Sequence, residues 1–211
     1  MRPVPFGLSL LLLGGGVAHA AEDDGAYGRL DGDVTLVAGV GGGVDLKSGK
    51  PVGHAELRAR YLEAAGVYFA YEEREGLGAT LGHGDVRRAL FAGLELRPLF
   101  PARFLKHYEG GRAFANLVLD SLGIDVGPTW AFREGSATRR PGWLLGLGVE
   151  LPMIGEAQGP WLRVSTSVRW SPERLEGDDD PGGRAVLTTL TLAWHQPVTA
   201  HLADGGDRHV E

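Results

Sequence analysis

The chain of 211 residues contains no cysteine, and its lysines number only three, Lys47, Lys50 and Lys106. Without a thiol there is no disulfide framework, thiolate metal site, iron–sulfur cluster, cysteine nucleophile or lipidated N-terminal cysteine. A formal charge of −6 with so few lysines leaves no polybasic surface, so nucleic acid is not an expected partner. No stretch beyond the N-terminus holds the roughly 20 apolar residues of a membrane helix. The 34 glycines follow no G-X-Y period, which excludes collagen, and they are too many for a helical bundle. At 43% hydrophobic residues the chain is too apolar to be a disordered tail, and its length is that of one domain.

What is present begins with an address. Arg2 precedes an apolar run through Phe6, Leu8 and Leu10 to Leu13, and Ala18-His19-Ala20 follows three glycines. A positive start, a short apolar centre and small residues before the cut form a signal peptide over residues 1–20, with cleavage expected after Ala20. A lead-in over 21–32 follows. The mature chain is then periplasmic, secreted or membrane-embedded as strands.

Period-two alternation recurs eight times, and in a strand such alternation separates one face from the other. In His54-Ala55-Glu56-Leu57-Arg58-Ala59-Arg60-Tyr61 one face carries His, Glu, Arg and Arg, the other Ala, Leu, Ala and Tyr. In Leu162 to Trp170, apolar residues and Thr166 alternate with Arg163, Ser165, Ser167 and Arg169. The other segments are 33–46, 66–73, 87–97, 122–133, 142–151 and 184–195. Their lengths match the about 9–11 residues that a tilted strand needs to cross hydrocarbon. Connections at 47–51, 74–86, 134–141 and 172–183 fall on the outer side and those at 63–65, 98–121 and 152–159 on the inner. In the 98–121 link, Pro98 and Pro101 end the fourth strand. Phe114, Leu117, Val118, Ser121 and Leu122 then recur at helical spacing, which predicts a short amphipathic helix; a bulged extension of the fifth strand also fits.

With the apolar face outward, the inward set holds Glu56, Glu72, Glu95, Asp125 and Glu150 against Arg58, Arg60, Arg97, Arg163 and Arg169, with His54 and His195 beside them. A balanced set is what a closed low-dielectric interior requires, since an unpaired buried charge costs several kcal/mol. Glycines at 39, 41, 43, 93, 146 and 148 share that face and are expected to make room for long arginines. Tyr71, Phe132, Trp143 and Trp170 fall outward at the outer ends of their strands, Tyr61 and Trp194 at the opposite ends, as two aromatic girdles at bilayer interfaces would.

Motifs for chemistry are sparse. No HExxH or compact ligand group is present, Gly39 to Gly43 lacks a following helix and a GK[ST], and Asp178-Asp179-Asp180 reads as a solvated tip. No cofactor or metal is expected. Ser171, His54 and Glu173 supply the residue types of a hydrolase acting on membrane lipid, without a motif that fixes their geometry.

The segments HAELRARYL, GWLLGLGVEL and WLRVSTSVRW resemble, in architecture, the small eight-stranded outer-membrane β-barrels of the OmpA/OmpX type, over about residues 31–196. The expected fold is an all-β, eight-stranded antiparallel up-and-down transmembrane barrel over 33–196, with a polar tail over 197–211. The resemblance implies an outer-membrane location in a Gram-negative cell, with membrane lipid and the barrel-assembly machinery as partners. It carries over no functional residue. One departure is that the last strand ends in Trp194 followed by the polar tail, where family members finish on a terminal aromatic. The expected role is structural or adhesive, through outer loops whose partner the sequence does not name. Two alternatives stand beside it, a soluble lipocalin-like barrel with inverted faces and a lipid-modifying hydrolase.

Overall fold

The computed structural model describes residues 27–74, 86–106, 112–133, 140–177 and 183–200. The expected signal peptide, most of the 74–86 loop with His83, His107, Asp178 to Asp180 and the tail beyond residue 200 lie outside the described residues. Eight strands follow one another as neighbours and the last closes on the first. They are β1 (Val34–Asp45), β2 (Pro51–Tyr61), β3 (Ala65–Glu73), β4 (Val86–Leu96), β5 (Gly123–Arg133), β6 (Gly142–Pro152), β7 (Gly159–Trp170) and β8 (Arg184–Val198). Every pairing is antiparallel, and the β1–β8 pairing leaves the sheet no free edge.

Register fixes the barrel's shape. Stepping from Val34 through its partners Tyr61, Ala65, Leu96, Ile124, Leu147, Thr166 and Thr188 returns to β1 at Val44, ten residues above the start. Closure with such an offset tilts the strands by about 35–45°, and eight strands enclose a space that side chains just fill. The two faces are opposite in character: Leu57 is 59% exposed and its neighbour Arg58 only 5%. Outside, Leu36, Val40, Val67, Leu94, Leu147, Leu190 and Leu192 form a continuous apolar wall.

The link from β4 to β5 holds a further helix, α1 (Leu99–Leu105), and after it the expected short amphipathic helix, α2 (Ala113–Asp120), in place of the bulged β5 extension. Pro98, expected only to stop β4, is the N-cap of α1, and Pro101 sits in its first turn, where a missing N–H costs nothing. No strand extension forms before Gly123. Beyond Gly148, the last β6 residue paired to β5, the hydroxyl of Ser121 accepts from the Glu150 N–H at 2.8 Å and lies 2.9 Å from the Glu150 carbonyl. One side chain thereby occupies the backbone groups that an extended β5 would have taken. A third, short helix, α3 (Pro172–Leu175), opens the β7–β8 connection.

Candidate functional site: the charged interior

Alternation along β2 to β7 turns the charged residues inward. Glu56, Arg58, Arg60, Glu72, Glu95, Arg97, Asp125, Glu150, Arg163 and Arg169 are each at most 6% exposed. They form two tiers, a segregation that the strand pattern alone does not show.

The inner tier is one connected network. Glu95 sits among four guanidiniums, with Arg60 Nε at 2.8 Å, Arg58 Nη1 and Arg97 Nε each at 3.2 Å and Arg163 Nη1 at 3.3 Å. Glu150 accepts from Arg60 at 2.6 Å, from Arg163 at 2.8 Å and from Arg97, and His195 Nε2 lies 3.3 Å from it. Arg58 meets Asp125 fork to fork, at 2.9 and 3.1 Å, and also reaches Glu56 at 2.7 Å. Arg163 donates to Asp125 from the opposite side at 2.8 Å. Guanidinium is the suitable cation here because its planar donors serve two or three carboxylates at once.

Above it, toward the outer loops, ion pairs among the described residues join one arginine to one carboxylate. Arg169 meets Glu72 at 3.2 Å and Arg74 meets Asp45 at 3.1 Å. An apolar collar of Tyr68, Ala70, Ala89, Phe91 and Leu144 lines the interior next to these pairs. Aromatic rings join collar to charge, with the Arg58 guanidinium 5.1 Å from the Tyr68 ring and that of Arg169 5.7 Å from Phe91.

Below the network the inner mouth is closed by α1, α2 and the segment ahead of β1. Arg29 pairs with Asp120 and stacks over Phe100 at 4.7 Å; Arg103 donates to Asp120 at 2.6 Å and to Asn116 at 2.7 Å. Trp161 faces inward, stacked on His195 at 4.6 Å. In the β2–β3 turn, Glu63 accepts from Arg97 at 2.9 Å. Burial opposes its charge, but Arg97, helped by Arg60 and His195, outweighs burial and holds the carboxyl below the usual carboxylate range. Glu63, Asp45 and Arg74 escaped the sequence reading because they sit at strand ends, where alternation fades into turns.

One expectation needs correction. The inward glycines do not all make room for arginine. A Cβ at Gly148 would lie 2.6 Å from Arg163 Nη2, as expected, but one at Gly41 would lie 2.0 Å from the Leu190 carbonyl and one at Gly93 2.2 Å from that of Val126. Those two positions serve close approach of strands. Of the residue types named for a hydrolase, Ser171 Oγ accepts from the Arg174 N–H as N-cap of α3, and His54 Nε2 lies 3.5 Å from Glu56 inside the barrel. Among the described residues, no group of three or more His, Asp or Glu is placed to hold a metal ion.

The aromatic residues outside the wall fall into two bands. Trp143 and Trp170 are direct cross-strand partners at the outer end, with Tyr71 and Phe132 near the same rim; Tyr61 ends β2 at the inner rim, and Trp194 faces Ala38 and Pro160 there.

No protein-family model and no curated protein sequence matches the chain. Solved structures similar to it are of low identity. One is the N-terminal β-barrel domain of Pseudomonas aeruginosa OprF, with TM-score 0.47 and 9% identity, covering 78% of this chain and 98% of that one. Neisserial surface protein A gives 0.39 and 8%, covering 78% and 96%. Ail, the attachment invasion locus protein of Yersinia pestis, gives 0.36 and 12%, covering 77% and 97%.

Proposed function

We propose that this protein is an outer-membrane β-barrel whose ion-filled lumen makes it a rigid support for its outer loops, with a structural or adhesive role and no solute conduit. The observation carrying the proposal is sidedness. Guanidiniums and carboxylates fill the interior while leucine, valine and aromatic side chains cover the outside, the inverse of a soluble barrel's pattern. A lipocalin-like carrier needs an apolar cavity; here Arg60, Glu95, Glu150 and Arg163, at 0–1% exposure, occupy that space. The same figures argue against a conduit, since water passing along the axis would have to touch them. A hydrolase reading finds no support in Ser171, whose hydroxyl caps a helix. The N-terminal signal read from residues 1–20, with cleavage near Ala20, fits export to that membrane, and lipid with the barrel-assembly machinery are the partners it would meet.

Membrane fractionation of the native host tests this: the protein is expected in washed outer-membrane vesicles and, once purified into planar bilayers, to give no steady conductance. Recovery in the soluble periplasmic extract would sink the membrane assignment. A stable open-channel current would sink the closed lumen.

A further inference from the structure

The hairpin of α1 and α2 does more than stopper the inner mouth. Its inner side, Phe100, Asn116, Leu117 and Asp120, is buried over the lumen. Its outer side carries Phe104, Leu105, Phe114 and Leu119 at 41%, 78%, 54% and 52% exposure. Among the described residues of the two helices the single acid is Asp120, buried between Arg29 and Arg103. Two bases, Lys106 at the C-cap of α1 and Arg112 at the N-cap of α2, are exposed.

From this arrangement we infer that the hairpin is an interfacial anchor seated in the inner leaflet of the phospholipid bilayer, with its apolar side among acyl chains and its bases at lipid phosphates. The inference rests on the membrane reading above and goes beyond it. Continuity identifies the occupant. Leu96, the last outward residue of β4, lies three positions before α1, and Leu122, outward and 40% exposed, two after α2, so short tethers hold the hairpin against the rim of the apolar wall. Tyr61 and Trp194 mark the same rim as the level of the headgroups. Helices with exposed aromatic and leucine residues on one side and flanking bases are the kind that lie in a membrane interface. In water the same four side chains would form an apolar patch of the kind that soluble surfaces avoid.

Because the chain has no cysteine, single labels are unambiguous. Phe114→Cys, Leu119→Cys, the wall control Val40→Cys and the outer-turn control Ser48→Cys, each in the full chain, would carry a nitrobenzoxadiazole fluorophore. They would be reconstituted into phosphatidylglycerol–phosphatidylethanolamine vesicles holding spin-labelled lipid. All four positions are exposed, so none should disturb the barrel. Labels at 114 and 119 should lose about half their emission to lipid spin-labelled near the headgroup and less to lipid labelled at mid-chain, and Lys106→Glu with Arg112→Glu should weaken that quenching. The Val40 label should respond to the mid-chain probe and the Ser48 label to iodide alone. If Val40 is quenched by lipid while 114 and 119 respond only to iodide, the anchor is refuted and the membrane barrel stands. Labels at 114 and 119 shielded from both quenchers would likewise refute it, in favour of a protein partner or a second copy. An unquenched Val40 label would remove the membrane reading and the anchor with it.

Discussion

The two ends of the lumen use the same residue types and hold them differently. At the inner end each carboxylate is shared: Glu95 has four arginines around it and Glu150 three. At the outer end, among the described residues, each carboxylate is bridged by one arginine, Glu72 by Arg169 and Asp45 by Arg74, beside an apolar cluster. Burial is equally deep at both ends, so connectivity distinguishes them. Removing one member of a shared set strands several buried charges at once, whereas removing one of a pair strands one.

That contrast is open to measurement, most strongly at its centre. Glu95→Ala should lower unfolding free energy in detergent by about 3–5 kcal/mol, as expected when a buried ion loses its partners. Glu72→Ala, read by the same denaturant titration, should cost less, about 3 kcal/mol at the lower end of that range, since it strands Arg169 alone. If the two variants are equally destabilised, shared connectivity is not what distinguishes the tiers.

Acid probes the inner end by another route. The Glu63 carboxyl titrates lower in the folded chain than its usual 4.5. Its contribution is therefore fully present above the unfolded value and disappears as pH falls through the folded one. A Glu63→Gln variant should thus melt below the parent at neutral pH, and the gap should close in acid. A gap that widens on acidification would contradict the sign. Outside the barrel, Arg88 pairs with Glu73 at 2.8 Å while 54% exposed, so Arg88→Ala should change the melting curve least, by about 0–1 kcal/mol.

Much of this architecture could be read before any coordinates. Alternation depends only on nearest neighbours along the chain, so HAELRARYL already showed that Glu56, Arg58 and Arg60 share a face, and the same parity gave the wall and the aromatic bands. Partnership could not be read that way. That Glu95 meets Arg58, Arg60 and Arg163 depends on the offset of strands distant in sequence, a property of the closed sheet as a whole. Local ambiguity hid the rest. Trp161 follows the parity of Arg163 and turns inward to stack on His195, although tryptophan in such a barrel suggests the outer surface. Pro98 and Pro101 carry the same signal whether they stop a strand or start a helix, and only the Ser121 contact with Glu150 shows why β5 begins no earlier.

The ion lattice also has a consequence for which barrel the chain can build. Sliding one seam by two residues keeps every side chain on its proper face, so oily-out, polar-in patterning cannot penalise that error. Glu150 lies directly across from Arg163, and the Arg58–Asp125 fork needs both of its contacts together. A β6–β7 seam slipped by two residues would set Glu150 across from Ser165 or Trp161, and Arg163 across from Pro152 or Gly148, in a dry interior. The buried ions thus act as a combination lock, selecting one stagger among several that hydrophobicity alone would accept.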